Sequence, residues 1–100
     1  MTNEKLIRLF QFYGGEIAKS GVKSRQLNNP DESSKTITLT DQLEHLLYMC
    51  QTAIGFVQEG RTEKAFRWLG FIQGVLWKQR TYTLTELKNH SRPDETLNKG

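Results

Sequence analysis

His45, Cys50 and His90 are the side chains of this sequence best suited to ligate a metal or attack a substrate. His45 and Cys50 stand five residues apart, and on a helix that spacing turns them away from a common tetrahedral centre. His90 is isolated in "KNHSRPD". No pair of carboxylates brackets a reaction centre, because Asp41 and Glu44 read as a capping-box pair. There is no glycine-rich phosphate loop and no nucleophile elbow. The inventory is too thin for an enzyme. A binding function is expected, with no cofactor and no metal.

Cys50 is the only cysteine. It lies in an apolar helical stripe, where a thiol behaves as a small hydrophobe. A lone cysteine excludes an intrachain disulfide and fits a reducing compartment.

Two stretches carry the chemistry of recognition. Lys88, His90 and Arg92 fall within five residues. They serve either as favourable charge at a helix C-terminus or as a basic hook for phosphate, which arginine grips with two hydrogen bonds. The second stretch is "RWLGFIQGVLW", residues 67–77. At 100° per residue, Ala65, Leu69, Ile72 and Leu76 share one face, flanked by Trp68 and Val75. Phe66, Gly70, Gly74 and Trp77 lie roughly opposite, bordered by Arg67, Phe71 and Lys78. Each glycine costs a helix about 1 kcal/mol relative to alanine. The return is bare backbone that another group can approach. That group is either a second helix, from this chain or another copy, or a planar ligand with Arg67 or Lys78 as counter-charge.

The elements that position these residues are helical. "TNEKLIRLFQFYGG" places Leu6, Ile7, Leu9, Phe10 and Tyr13 at helical spacing. Thr2 or Asn3 caps it, and Gly14 and Gly15 are expected to weaken or end it. Residues 20–39 form a polar loop, either a solvated connection or a segment that folds over an anionic ligand with Lys23 and Arg25. A five-turn helix follows, capped by Asp41 and closed by Gly60 in a left-handed C-terminal cap. Thr62 is expected to cap a third helix running to about Arg80. The tight turn between them makes the pair antiparallel. Thr83 and Glu86 form a capping box for a short fourth helix. It must stop before Pro93, and residues 94–100 form a frayed tail.

The expected fold is therefore a single all-α domain over residues 1–100. It is a long antiparallel helical hairpin with short N- and C-terminal helices, in an oligomeric assembly. A chain of 100 residues builds a modest core that oligomerisation commonly supplements. The net charge of +3 favours anionic partners. The basic residues are spread out rather than gathered into a stripe, so nucleic acid is not the expected partner. No apolar run approaches a membrane span and no signal peptide is visible. Membrane association is not expected.

The blocks "EKAFRWLGFIQGVLW" and "TLTELKNHSRPD" resemble small proteins encoded by tailed bacteriophages. They look like the viral sponge family that counters CBASS immunity. The resemblance covers residues 43–94, and the first third of the chain departs from it. It implies a small helical protein that assembles into a dimer or tetramer in the cytoplasm of an infected bacterium. There it would bind a cyclic oligonucleotide such as 3′,3′-cGAMP without hydrolysing it, in pockets shared between subunits. Such a ligand needs stacking partners and cations. The candidates are Tyr13, Tyr48, Phe71, Trp77 and Tyr82 for the bases, and Lys23, Arg25, Lys64, Arg67 and Arg92 for the phosphates. Phe66, Gly70, Gly74 and Trp77 are the expected subunit interface. The alternative is a protein–protein inhibitor or adaptor, anti-CRISPR-like, docking a host protein on the same surface.

Overall fold

The computed structural model describes residues 1–27 and 37–92. They form four helices: α1 (Asn3–Ala18), α2 (Leu39–Gln58), α3 (Thr62–Lys78) and α4 (Leu84–Ser91). No strand occurs among the described residues. The expected tail, 94–100, and the polar segment 28–36 lie outside them.

The core follows the apolar periodicity. α1 supplies Leu6, Leu9, Phe10, Tyr13 and Ile17, and α3 supplies Ala65, Leu69, Ile72 and Leu76. α2 contributes seven buried residues, from Leu46 to Val57. Its apolar surface is wide because α1 and α3 both pack on it, α1 the more extensively. The N-terminal helix is thus not the short appendage expected. At 16 residues it nearly matches the 17 of α3.

Gly14 and Gly15 do not end α1, which runs on to Ala18. Gly14 is buried against α2, and a Cβ there would lie 3.5 Å from that of Cys50. Burial of Tyr13 and Ile17 on either side of the pair outweighs a propensity cost of about 1 kcal/mol per glycine. The chain enters α1 through Thr2, whose hydroxyl accepts from Lys5 N–H at 3.1 Å.

α2 begins earlier than the expected cap at Asp41. Thr38 is the N-cap, and Asp41 is its capping-box partner, each accepting from the other's backbone N–H at 3.0 Å. Glu44 is released from capping and pairs with Arg25 instead. The end of α2 is as read: Gly60 has φ +80°, and Arg61 N–H reaches back to Phe56 O at 2.7 Å. α3 differs at both ends. Thr62 is its first helical residue rather than its cap, and Arg61 at the N-cap makes no side-chain cap bond. Its C-terminus closes with the same pair of reverse bonds as α2, Arg80 N–H to Trp77 O and Thr81 N–H to Leu76 O. Here the left-handed position is held by Arg80, with φ 62°. α4 starts on the Thr83–Glu86 capping box. It stops at Ser91, and Arg92 is extended before Pro93.

Part of the expected 20–39 loop is fixed in place. Residues 22–27 run along the first half of α2. The Arg25 guanidinium bonds Asp41 at 2.7 Å and Glu44 at 3.1 Å, and Leu27 N–H donates to His45 Nδ1 at 3.2 Å.

Candidate functional site

The side of α3 turned away from the core is bare. Phe66, Phe71 and Trp77 are 40%, 54% and 49% exposed, and Leu84 on α4 is 55% exposed. Single exposed hydrophobes need no explanation, but a contiguous set on one surface marks an interaction site. Between these rings lie Gly70 and Gly74. A Cβ on either would meet nothing within 4 Å. Among the described residues nothing therefore requires a glycine at either position, in contrast to the turn at Gly60.

The glycines separate two grooves. On one flank, Gln73, Gly74, Trp77, Leu84, Leu87, Lys88 and Ser91 line a hollow of about 300 Å³ between α3 and α4. Gln73 Nε2 donates to Ser91 Oγ at 2.9 Å and to the Tyr13 hydroxyl at 3.0 Å. On the other flank, Phe71 and Val75 of α3, Gln42, His45 and Leu46 of α2, and Leu27 and Ile37 line a groove of about 250 Å³. Trp77 is also shared with a hollow of about 400 Å³ at the α3–α4 turn, which includes Arg80 and Tyr82. Left-handed strain at a non-glycine residue gathers at functional positions, and Arg80 sits at the rim of this one.

The expected site residues divide accordingly. Arg67, Phe71 and Trp77 are exposed on α3 together with Phe66, Gly70 and Gly74. Arg67 and Lys78 occupy the same helical row as Phe71, and neither meets a carboxylate within salt-bridge distance among the described residues. Lys64 is elsewhere, its ammonium 4.6 Å from the centre of the Phe56 ring, on the α2 side of α3. Trp68 packs edge-on against that same ring at 4.7 Å, the core-flank place its spacing gave it. Tyr48 is half-buried and stacked on His45 at 5.8 Å. Arg25 is committed to Asp41 and Glu44. Lys23 and Arg92 are exposed, away from the α3 rings in sequence and on separate elements.

Tyr13 is fully enclosed, and burial pushes its hydroxyl up to about 12. It forms the middle of a ring cluster with Phe12, Tyr82 and His90, whose centroids lie 4.9–6.2 Å apart. His90, of the basic hook, thus serves as a structural partner to Tyr13 at 2.8 Å. Cys50 is buried, and desolvation raises its thiol to about 12, so it is protonated at neutral pH. Among the described residues no three His, Cys, Asp or Glu side chains are grouped to hold a metal. No helix is long and apolar enough to cross a membrane.

Sequence reasoning missed Gln42 and His45 as groove residues, and Gln73, Leu84 and Ser91 on the other side. One signal was present: Gln73 is a lone amide inside the apolar run 71–77, and a buried amide needs partners.

Comparison with known proteins adds no relative. No protein-family model matches this chain, and no curated protein and no solved structure matches it.

Proposed function

We propose that the protein is a non-catalytic binder that sequesters a cyclic dinucleotide, in sites built on the outer face of α3 within a homo-oligomer. One observation carries this reading. Two helical glycines whose Cβ positions meet no neighbour among the described residues lie among half-exposed aromatic rings. A partner that approaches the backbone closely gives those glycines a use. The rings offer stacking surfaces, and Arg67, Lys78 and Lys88 offer cations. The ligand class comes from the sequence resemblance, as does the setting, an infected bacterial cytoplasm. In the assembly, α2 and α3 act as an antiparallel hairpin that presents α3 outward, and a second copy crosses it at Gly70 and Gly74. Function is then mass action: each occupied site removes one signal molecule from the pool that the host effector senses.

The test is thermal shift against a panel of cyclic di- and trinucleotides and cyclic ADP-ribose species. Heat release and recovery of the ligand follow. A site filled at a hundred times its Kd adds about 2.7 kcal/mol of stability, and a sequestering protein returns its ligand intact. Sedimentation of the free and loaded protein reads the assembly. No shift with any nucleotide would overturn the reading in favour of a protein-docking inhibitor, and altered ligand would make the protein an enzyme.

A further inference from the structure

Glu63 and Lys78 stand at opposite ends of α3. Neither forms an ion pair with any described residue. Both are exposed, and at 100° per residue both fall on the bare side of the helix that holds Gly70 and Gly74. About 22 Å of helix separates them, so they cannot meet within one chain.

The same face is divided lengthwise. Phe66 and Trp77 are eleven residues apart, so they lie within about 20° of each other around the helix and form one edge. Arg67 and Lys78 are likewise eleven apart and form the opposite edge. Gly70 and Gly74 lie between the two rows and leave the middle of the face open to a close approach.

We infer that a second copy packs on this face antiparallel to the first, with Phe66 of each copy seated on Trp77 and Leu84 of the other. The inference deepens the proposed function and rests on that reading only for a second copy on this face, not for the ligand. The register follows from the glycines. A two-fold axis at right angles to α3, level with the midpoint of Gly70 and Gly74, makes every contact reciprocal. It sets each residue against the one equally far beyond residue 72 in the other copy, and it keeps each edge on its own side. Phe66 lies six residues before that level and Trp77 five after it. Ring therefore meets ring to within one residue's rise of about 1.5 Å. Trp77 and Leu84 are the apolar pair that line both hollows of the α3–α4 region, and both are half-exposed in their own chain.

Charge selects the direction. In the antiparallel register Glu63 comes within about 4.5 Å, along the axis, of the level of Lys78 from the other copy. One ion pair forms at each end of the crossing. Arg67 stands beside it, so each end holds one carboxylate and two cations. A parallel pair instead sets Glu63 against Glu63 and Lys78 against Lys78, and like charges face to face oppose docking. Phe71, farther round on the cationic edge, stays outside the crossing and keeps a free ring face.

The experiment mixes isotope-labelled and unlabelled protein without ligand, and records filtered NOE spectra beside sedimentation equilibrium. Phe66 and Trp77 are about 16 Å apart along one helix, so an NOE between their rings arises only between copies. The expected result is an assembly with Phe66–Trp77 and Phe66–Leu84 NOEs. Phe66→Ala, at an exposed position, is expected to weaken self-association at least about tenfold, with an unchanged circular dichroism spectrum. Glu63→Lys is expected to weaken it at least about threefold, and Glu63→Lys combined with Lys78→Glu to restore it. A monomer at NMR concentration, an assembly without the Phe66–Trp77 contact, or a double variant no stronger than the single one overturns the inference. Cyclic dinucleotide binding by a protein that lacks this contact overturns this inference alone. The contact without any cyclic dinucleotide binding overturns the sponge reading alone.

Discussion

The Tyr13 hydroxyl and His90 Nδ1 share a hydrogen bond of 2.8 Å, joining α1 to α4 across 77 residues of sequence. Gln73 Nε2 donates to the same hydroxyl, so one phenol links three elements of the fold.

Acid should loosen the fold through its histidines. Burial lowers His90 from its ordinary value of 6.5, and Lys5 adds to that lowering against the opposing pull of Glu86. Desolvation lowers His45 in the same direction. Both are neutral more readily in the folded chain, so their contribution is complete above about pH 6.5. It is lost as pH falls below that value towards their folded pKa values. Asp41 and Glu86 are lowered by their capping bonds and lose their contributions only further down, below the ordinary carboxylate range. Melting temperature should fall between pH 7 and pH 5, and His90→Gln should flatten that slope. An unchanged slope would remove His90 from the linkage.

Tyr13→Phe keeps the ring packing and deletes the shared hydroxyl. The Gln73 and His90 groups it satisfied are left without it, at a cost of about 1–3 kcal/mol. Chemical denaturation should show the loss, with little change in the far-ultraviolet spectrum. Alkaline titration of the wild type should show one phenol near pH 12, and that step should be missing from the variant.

The two classes of glycine should respond oppositely to alanine. Gly70→Ala and Gly74→Ala should each stabilise the free chain by about 1 kcal/mol, since their Cβ atoms enter open space. The same substitutions should weaken assembly or ligand binding. Gly60→Ala meets φ +80° and should destabilise by about 1 kcal/mol. Paired denaturation and sedimentation measurements separate these effects. Unchanged assembly in both α3 variants would free the glycine face of any contact role.

Arg80→Gly should relieve the left-handed strain at the end of α3 and raise stability by about 1 kcal/mol. If the gain comes with weaker ligand binding, the arginine is retained for the groove it borders. If binding is unaffected, its strain has no functional return.

What was legible in the sequence was local. Thr83 and Glu86 identify their helix start because both partners of a capping box lie within one turn. Gly60 and the α3 core stripe are legible for the same reason. Asp41 and Thr62 were misplaced by one turn and by one residue, because several residues nearby can cap and only the packed chain selects one. Gly14 was misread because propensity counts the missing side chain and not the helix that packs on it. The site was half legible. Helical spacing gathers Phe66, Gly70, Gly74 and Trp77 without any tertiary knowledge. Gln42 and His45 become groove residues only once Phe71 and Val75 stand opposite them, and those partners arrive from elsewhere in the fold.

The capping box of α4 has a consequence for how the molecule opens. With eight residues, α4 is too short to persist as an isolated helix. It is anchored by Leu87, by the bonds to Tyr13 and Gln73, and by the ring contacts of His90. Its amides should therefore exchange with solvent by a sub-global opening, at lower free energy than those of α2. Because Leu84, Leu87 and Lys88 also wall the hollow beside Trp77, any molecule seated there must slow that exchange. The last helix thus acts as a built-in reporter of occupancy, readable amide by amide without labelling the ligand.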